Sequence, residues 1–143
     1  MPSNFQLKAM NTAHRALLKI SFGKLGQAIA GMPSLELTTI GRKSGRPHAV
    51  MLTAPIVDGD TYVVVASRGG DSVHPAWFLN VRANPDVVVS VQSGPKVPMT
   101  ARVATAEERA TLWPKVIGVY SGYADYQTKT TREIPLVLLT PKN

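Results

Sequence analysis

From residue 35 onward the hydrophobic residues of this chain alternate in short runs separated by turn residues, and the helical spacing seen before that point stops. That change of period constrains the fold more than any other feature. Leu35-Glu36-Leu37-Thr38-Thr39-Ile40 is the first run, rich in β-branched residues. Residues 48–56 form the second, Asp58-Gly59 is a tight hairpin signal, and residues 61–67, centred on Val63, Val64 and Val65, form the third. Gly69-Gly70-Asp71 ends that strand. Residues 87–91 and 97–104 make a hairpin around Ser93-Gly94-Pro95, and residues 134–139 make the last strand. Six short strands without regular βαβ alternation exclude a Rossmann sheet. They predict an α+β, mainly β fold: a six-stranded split antiparallel β-barrel with flanking helices.

The helical stretches flank and interrupt these strands. Ala9, Met10, Ala13, Leu17 and Ile20 recur at helical spacing, with Lys8, Asn11, Thr12, Arg15 and Lys19 on the other side. Leu25, Ala28 and Ile29 continue the pattern until Gly31-Met32-Pro33 stops it. The chain thus divides into an N-terminal amphipathic helical segment, residues 1–33, and a barrel domain, residues 34–143. A short helix is predicted from Pro75 through Val81, ended by Asn84-Pro85. Thr105 and Glu108 form a capping box for a helix reaching Val119, which Pro114 is expected to kink or divide.

Composition narrows the chemistry. Among 143 residues there is no cysteine, so disulfides, thiolate metal sites and cysteine nucleophiles are excluded. No apolar run approaches the roughly 20 residues that span a bilayer, and the first residues lack a signal-peptide pattern. Together these predict a cytoplasmic protein. His14, His48 and His74 lie far apart without metal-ligand spacing, so no metal is expected. No serine lies in a Gly-x-Ser-x-Gly elbow and no acidic pair stands out. An enzyme built this way leaves the difficult step to an organic cofactor and supplies orientation. The net charge of +7 is one-sided: residues 1–46 carry seven Lys or Arg against Glu36 alone. Such an end suits an anionic partner.

Four stretches are candidates for a site. Gly41-Arg42-Lys43-Ser44-Gly45-Arg46 packs three cations and a serine between glycines; it reads either as a phosphate or carboxylate cradle or as a solvated hairpin tip. Ala66-Ser67-Arg68-Gly69-Gly70 ends an apolar strand with small residues, which lets a planar ligand approach the backbone, or is an ordinary loop. In His74-Pro75-Ala76-Trp77-Phe78-Leu79-Asn80 the aromatic pair either walls a pocket or pins a helix to the barrel, and Asn80 needs a partner if buried. Tyr120, Tyr123 and Tyr126, spaced by three, share one side of a helical turn or line one loop. They offer flat faces and hydroxyl donors, or packing at a rim.

These four stretches, in this order, resemble the deazaflavin-dependent nitroreductases of actinobacteria, the class of the enzyme that activates bicyclic nitroimidazole prodrugs. Asp58-Gly59-Asp60, Ala83-Asn84-Pro85, Ala101-Arg102, Thr105-Ala106-Glu107-Glu108-Arg109, Trp113-Pro114 and Tyr120 through Gln127 extend the match over roughly residues 35–141. The resemblance implies a split β-barrel that binds coenzyme F420, an 8-hydroxy-5-deazaflavin with a phosphate and a polyglutamate tail. It implies that Arg42, Lys43, Ser44, Gly45 and Arg46 hold the phosphate and tail. Met51, Ala66, Ser67, Arg68 and Gly69 would line the ring and its side chain, and Trp77, Phe78 and Asn80 would shape the pocket. Ser67, Tyr120, Tyr123 and Tyr126 are the catalytic candidates: the tyrosines border the acceptor, and Ser67 or a tyrosine hydroxyl bonds the developing anion.

The implied reaction is hydride transfer from the reduced deazaflavin to a planar quinone, nitroaromatic or activated enone. Where nitroimidazole-reducing members often carry an aromatic residue before the Asp-Gly turn, this chain has Ala54-Pro55, so an acceptor pocket of another shape is expected. The competing readings are an FMN-dependent oxidoreductase of the same barrel type and a non-catalytic flavin-binding module. Nucleic acid is not an expected partner, because the basic loop is short and no aromatics interleave with it. A monomer or weak homodimer is expected. The basic N-terminal segment adds the expectation of weak peripheral contact with anionic membrane at the inner face of the cell membrane.

Overall fold

The computed structural model describes Ala28–Ile29 and residues 32–142; the predicted N-terminal helix over residues 9–20 lies outside them. The described chain is mainly β. Its strands are β1 (Ala28–Ile29), β2 (Met32–Ile40), β3 (Pro47–Thr53), β4 (Ile56–Asp58), β5 (Thr61–Val65), β6 (Asp86–Val91), β7 (Lys96–Val103) and β8 (Leu136–Pro141). Three α-helices accompany them: α1 (Ala76–Ala83), α2 (Ala106–Val119) and α3 (Gly122–Thr128). A 3-10 turn, Arg68–Gly70, follows β5.

Three expectations are corrected here. The chain has eight strands among its described residues, against the six expected. Residues 48–56 are not one strand, because Pro55 has no N–H to give to a ladder and the strand breaks into β3 and β4 around Ala54-Pro55. Ala28 and Ile29 do not continue a helix: they pair antiparallel with Pro33 and Met32, which belong to β2.

The break at Ala54-Pro55 also explains the shape. Seven strands run in the order β3-β2-β6-β7-β8-β5-β4, every neighbouring pair antiparallel. The consecutive strands β3 and β4 therefore lie at opposite ends of the sheet. Laid flat, those ends would be about 29 Å apart at ~4.8 Å per strand, far beyond the reach of a two-residue link. The sheet must curl until its ends meet, and β3 does come close to β5. The result is a curled antiparallel half-barrel.

Its two faces carry two hydrophobic clusters. On β5, Val64 enters one cluster while Val63 and Val65 enter the other, so the apolar run reflects burial on both sides. The first cluster joins Leu35, Leu37, Val89 and Leu139 to Trp77, Phe78 and Val81 of α1. The second joins Met32, Val63, Val65, Ile134 and Leu136 to Val116 of α2 and Tyr123 of α3. Helix α2 opens with the expected capping box: Thr105 Oγ1 accepts from the Glu108 N–H at 3.2 Å, and Glu108 Oε1 accepts from the Thr105 N–H at 2.9 Å. The helix then runs through Pro114 as one element, undivided.

Candidate functional site

The basic loop between β2 and β3 is a tight, internally bonded turn. The Gly41 N–H donates to the Arg46 carbonyl at 2.8 Å and the Gly45 N–H to the Gly41 carbonyl at 2.9 Å. Gly45 takes a φ of 72°, which favours glycine, and a Cβ on Gly41 would stand 2.5 Å from Ser44 Oγ and 2.8 Å from the His48 ring. Ser44 Oγ accepts from the Arg46 N–H at 3.1 Å and lies 3.1 Å from His48 Nε2, which leaves Ser44 bracing the loop. Arg42, Lys43 and Arg46 are exposed.

Asn80 explains how this loop is held. It is 4% exposed, and its Oδ1 accepts from both the Arg42 N–H at 3.2 Å and Arg42 Nη1 at 3.0 Å. Its Nδ2 donates to Thr39 Oγ1 at 3.0 Å, inside β2. The partner that a buried amide demands is therefore the basic loop itself. Trp77 and Phe78, the residues expected to shape a pocket, are packed in the first hydrophobic cluster and pin α1 to the sheet. Met51 is likewise buried, on β3 opposite Glu36.

The strand end at Ala66 and Ser67 is the second piece. Both residues are buried, and the turn that follows is left-handed, with φ of 48° at Arg68, 63° at Gly69 and 82° at Gly70. Arg68 Nε lies 3.5 Å from Asp71 Oδ2. A residue absent from the sequence reading organises this turn: Arg132 Nη1 and Nη2 donate to the carbonyls of Ala66 and Ser67 at 3.1 and 2.7 Å. Arg132 Nη1 also lies 3.2 Å from His74 Nδ1. Because arginine only donates, that imidazole nitrogen accepts and His74 is neutral there. Burial first, then the Arg132 and Arg82 charges, hold the His74 pKa below its ordinary value. The His74 ring in turn packs at 4.7 Å against the Phe78 ring of α1, tilted by 41°. No local signal marks Arg132, since its partners are some sixty residues away in sequence.

The tyrosines form the third piece. Tyr120 caps the end of α2, while Tyr123 and Tyr126 lie in α3, so of the two alternatives, a helical turn or a loop, it is the helix that carries them. Their rings meet edge to face, Tyr120 to Tyr123 at 5.2 Å and Tyr123 to Tyr126 at 6.1 Å. The helix sits directly on the left-handed turn: a Cβ at Gly70 would stand 2.6 Å from the Tyr126 carbonyl. Tyr123 is placed differently from its neighbours. It is 6% exposed, and its hydroxyl pairs with Thr53 Oγ1 at 3.0 Å, so it joins α3 to β3. Burial pushes its pKa up, opposed by that hydrogen bond. Tyr126 is pushed up to about 12 by burial and by its hydrogen bond with Tyr120.

Contacts thus run without a gap from the basic loop through Asn80 and α1 to His74, Arg132, the left-handed turn and the tyrosine helix. The arrangement offers exposed cations, a half-buried left-handed bend and aromatic hydroxyls. It holds no group of three or more metal-binding side chains among the described residues.

A family model described as F420H(2)-dependent quinone reductase matches residues 11–141. An F420H(2)-dependent quinone reductase of Mycobacterium tuberculosis is 41% identical over 132 residues, spanning 89% of this chain and 87% of that protein. A solved F420-H2 dependent reductase superposes with a TM-score of 0.66 at 42% identity, covering 75% of this chain and 93% of that one. A second solved structure, described as a domain-swapped dimer, gives a TM-score of 0.67 at 37% identity, covering 90% of this chain and 96% of that one. The chain belongs to the F420H(2)-dependent quinone reductase family and is an oxidoreductase that uses coenzyme F420.

Proposed function

We propose that the connected basic loop, left-handed turn and tyrosine helix form the coenzyme and acceptor site, and that the acceptor is a flat quinone-type molecule. The observation that carries this reading is the unbroken path of contacts from Arg42 through Asn80, His74 and Arg132 to Gly70 and Tyr126. Nitroaromatics and activated enones present a similar plane and polar edge, and are secondary acceptors in this reading. The half-barrel is then the split barrel of the family, with its opening at these elements.

The residues present fit a planar anionic coenzyme. Arg42, Lys43 and Arg46 meet the phosphate and the carboxylates of the tail, with Ser44 and Gly45 fixing the loop that presents them. Ser67, Arg68 and Gly69 border the ring and its side chain. When bound, the reduced deazaflavin supplies a hydride from the C5 carbon of its ring. The chain orients the acceptor on the faces of Tyr120 and Tyr126 and offers a hydroxyl hydrogen to the oxygen that gains charge. Tyr126, held neutral by its raised pKa, keeps that hydrogen throughout the ordinary pH range. Tyr123, bonded to Thr53, supports the helix from behind. We also assign weak contact with anionic lipid to the basic first 30 residues, which would bring the site to a lipid-dissolved quinone.

The test is a binding titration of oxidised coenzyme F420 with the variant carrying Arg42→Ala, Lys43→Ala and Arg46→Ala. The expected result is a loss of about a hundredfold in affinity at low salt and a smaller loss at high salt, where screening already weakens the attraction. Unchanged affinity would reduce the loop to a polar turn. Tighter binding of FMN than of the deazaflavin would favour the FMN reading.

A further inference from the structure

Arg132 lies between α3 and β8, outside every motif that marks the site. Its guanidinium donates to three carbonyls: Nε to Asp71 at 2.9 Å, Nη1 to Ala66 at 3.1 Å and Nη2 to Ser67 at 2.7 Å. Those carbonyls stand at both ends of the Arg68–Gly70 turn. Between them three consecutive residues have positive φ, and one of the three, Arg68, has a side chain. An L residue takes that conformation only where its surroundings impose it. The planar fork of Arg132 is suited to the task, because it satisfies the two ends of the bend from a single rigid group.

The backbone of Arg132 is fixed from the other side. Gln127 of α3 donates through Nε2 to the Arg132 carbonyl at 2.7 Å, and its Oε1 accepts from the Ile134 N–H at 2.9 Å. One residue therefore connects the turn beneath the coenzyme site to the helix that carries Tyr123 and Tyr126.

We propose that Arg132 is a positioning residue for the reductase reaction: by holding the carbonyls of Ala66, Ser67 and Asp71 it keeps the Arg68–Gly70 turn in the shape that receives the coenzyme, in register with the tyrosine helix. The inference rests on the assignment of Ser67, Arg68 and Gly69 to the coenzyme. It specifies a guanidinium and not merely a positive charge. A lysine at this position keeps the charge but replaces the planar three-nitrogen fork with one ammonium on a flexible stem, which holds the two ends of the bend less firmly.

Arg109 provides a matched control. It too is partly buried and donates within the same connection, Nε to the Ile134 carbonyl at 2.9 Å and Nη2 to Gln127 Oε1 at 3.1 Å, but it does not touch the turn. Binding of oxidised coenzyme F420 and the thermal midpoint are measured for Arg132→Lys, Arg132→Gln, Arg109→Lys and Arg68→Ala in the full chain. Arg132→Lys is expected to weaken coenzyme binding about tenfold or more and to raise the coenzyme KM more than the acceptor KM. Arg109→Lys is expected to lower the thermal midpoint while keeping coenzyme affinity. Arg132→Gln, which retains two N–H groups and no charge, serves if the lysine variant does not fold, and is expected to lose affinity likewise. The proposal is overturned if the Arg132 variants bind coenzyme as the unaltered protein does, or lose affinity only in proportion to midpoint as Arg109→Lys does. Weakened binding by Arg68→Ala alone would overturn the positioning role and leave the site assignment standing. Unchanged binding by Arg68→Ala would remove the site assignment, and this proposal with it.

Discussion

Tyr123 and Tyr126 sit on the same short helix and carry different burdens. The Tyr123 hydroxyl is committed to Thr53, so Tyr123→Phe should cost about 1 kcal/mol of stability in a denaturant titration and lower stability more than turnover. Tyr126 has its pKa pushed up to about 12, above the ~10 of a tyrosine in an unfolded chain. A folded value above the unfolded one means that its contribution to stability is complete below pH ~10 and is lost as pH rises through about 12. Stability measured across that alkaline window should therefore fall more steeply for the unaltered protein than for Tyr126→Phe. Equal slopes would show that the hydroxyl titrates as a free phenol. At this scale the sequence identified the cluster but not its division of labour, because Thr53, the partner of Tyr123, lies 70 residues away. The same holds for Asn80. Its need for a partner was legible from its place beside an apolar pair, while the identity of that partner, Arg42, depends on how α1 docks against β2.

Among the elements, Gly70 decides how closely the short helix α3 can sit on the left-handed turn. Gly70→Ala would place a methyl 2.6 Å from the Tyr126 carbonyl at a φ of 82°. Steric overlap and left-handed strain together should cost about 2–4 kcal/mol and lower acceptor turnover. Gly59→Ala is the control: its φ is also positive, at 59°, but nothing lies within 4 Å, so only about 1–2 kcal/mol of strain is expected and turnover should hold. Both values follow from thermal or denaturant unfolding, with turnover measured on the same samples. A Gly70→Ala variant no worse than Gly59→Ala would show that the turn and α3 are not tightly coupled. The strands were readable because alternation and turn residues are local signals, and the capping box of α2 was readable for the same reason. Helix α3 was legible only as one of two alternatives, a helical turn or a loop, since Gly122 opens it and an isolated helix of seven residues has no strong pattern of its own. The division of residues 48–56 was concealed by apolar neighbours on either side of Pro55, although proline in a strand was itself the available warning.

Across the whole molecule, charge and topology serve the same end. The curl of the sheet follows from joining its two edge strands through Ala54-Pro55. The net charge of +7, concentrated in residues 1–46, suits a coenzyme with an anionic tail and an anionic lipid surface. If the N-terminal segment contacts lipid, the protein should co-sediment weakly with anionic vesicles at low salt, each basic residue near the surface contributing about 1 kcal/mol. A form lacking residues 1–30 should not. Equal sedimentation of both forms would remove the membrane role and leave the reductase site untouched. No described helix is long and apolar enough to cross a membrane.

In the proposed function the chain passes hydride from the reduced deazaflavin to a quinone at the site bounded by the basic loop, the left-handed turn and the tyrosines. The direct measurement is the rate at which the absorbance of oxidised F420 returns when the protein is given reduced coenzyme and a soluble quinone, with reduced FMN as the parallel donor. Quinone-dependent oxidation of the deazaflavin is expected well above the protein-free rate, with little activity from reduced FMN and a large loss of rate in the triple loop variant at subsaturating coenzyme. No protein-dependent oxidation of the deazaflavin, or faster turnover with reduced FMN, would contradict it.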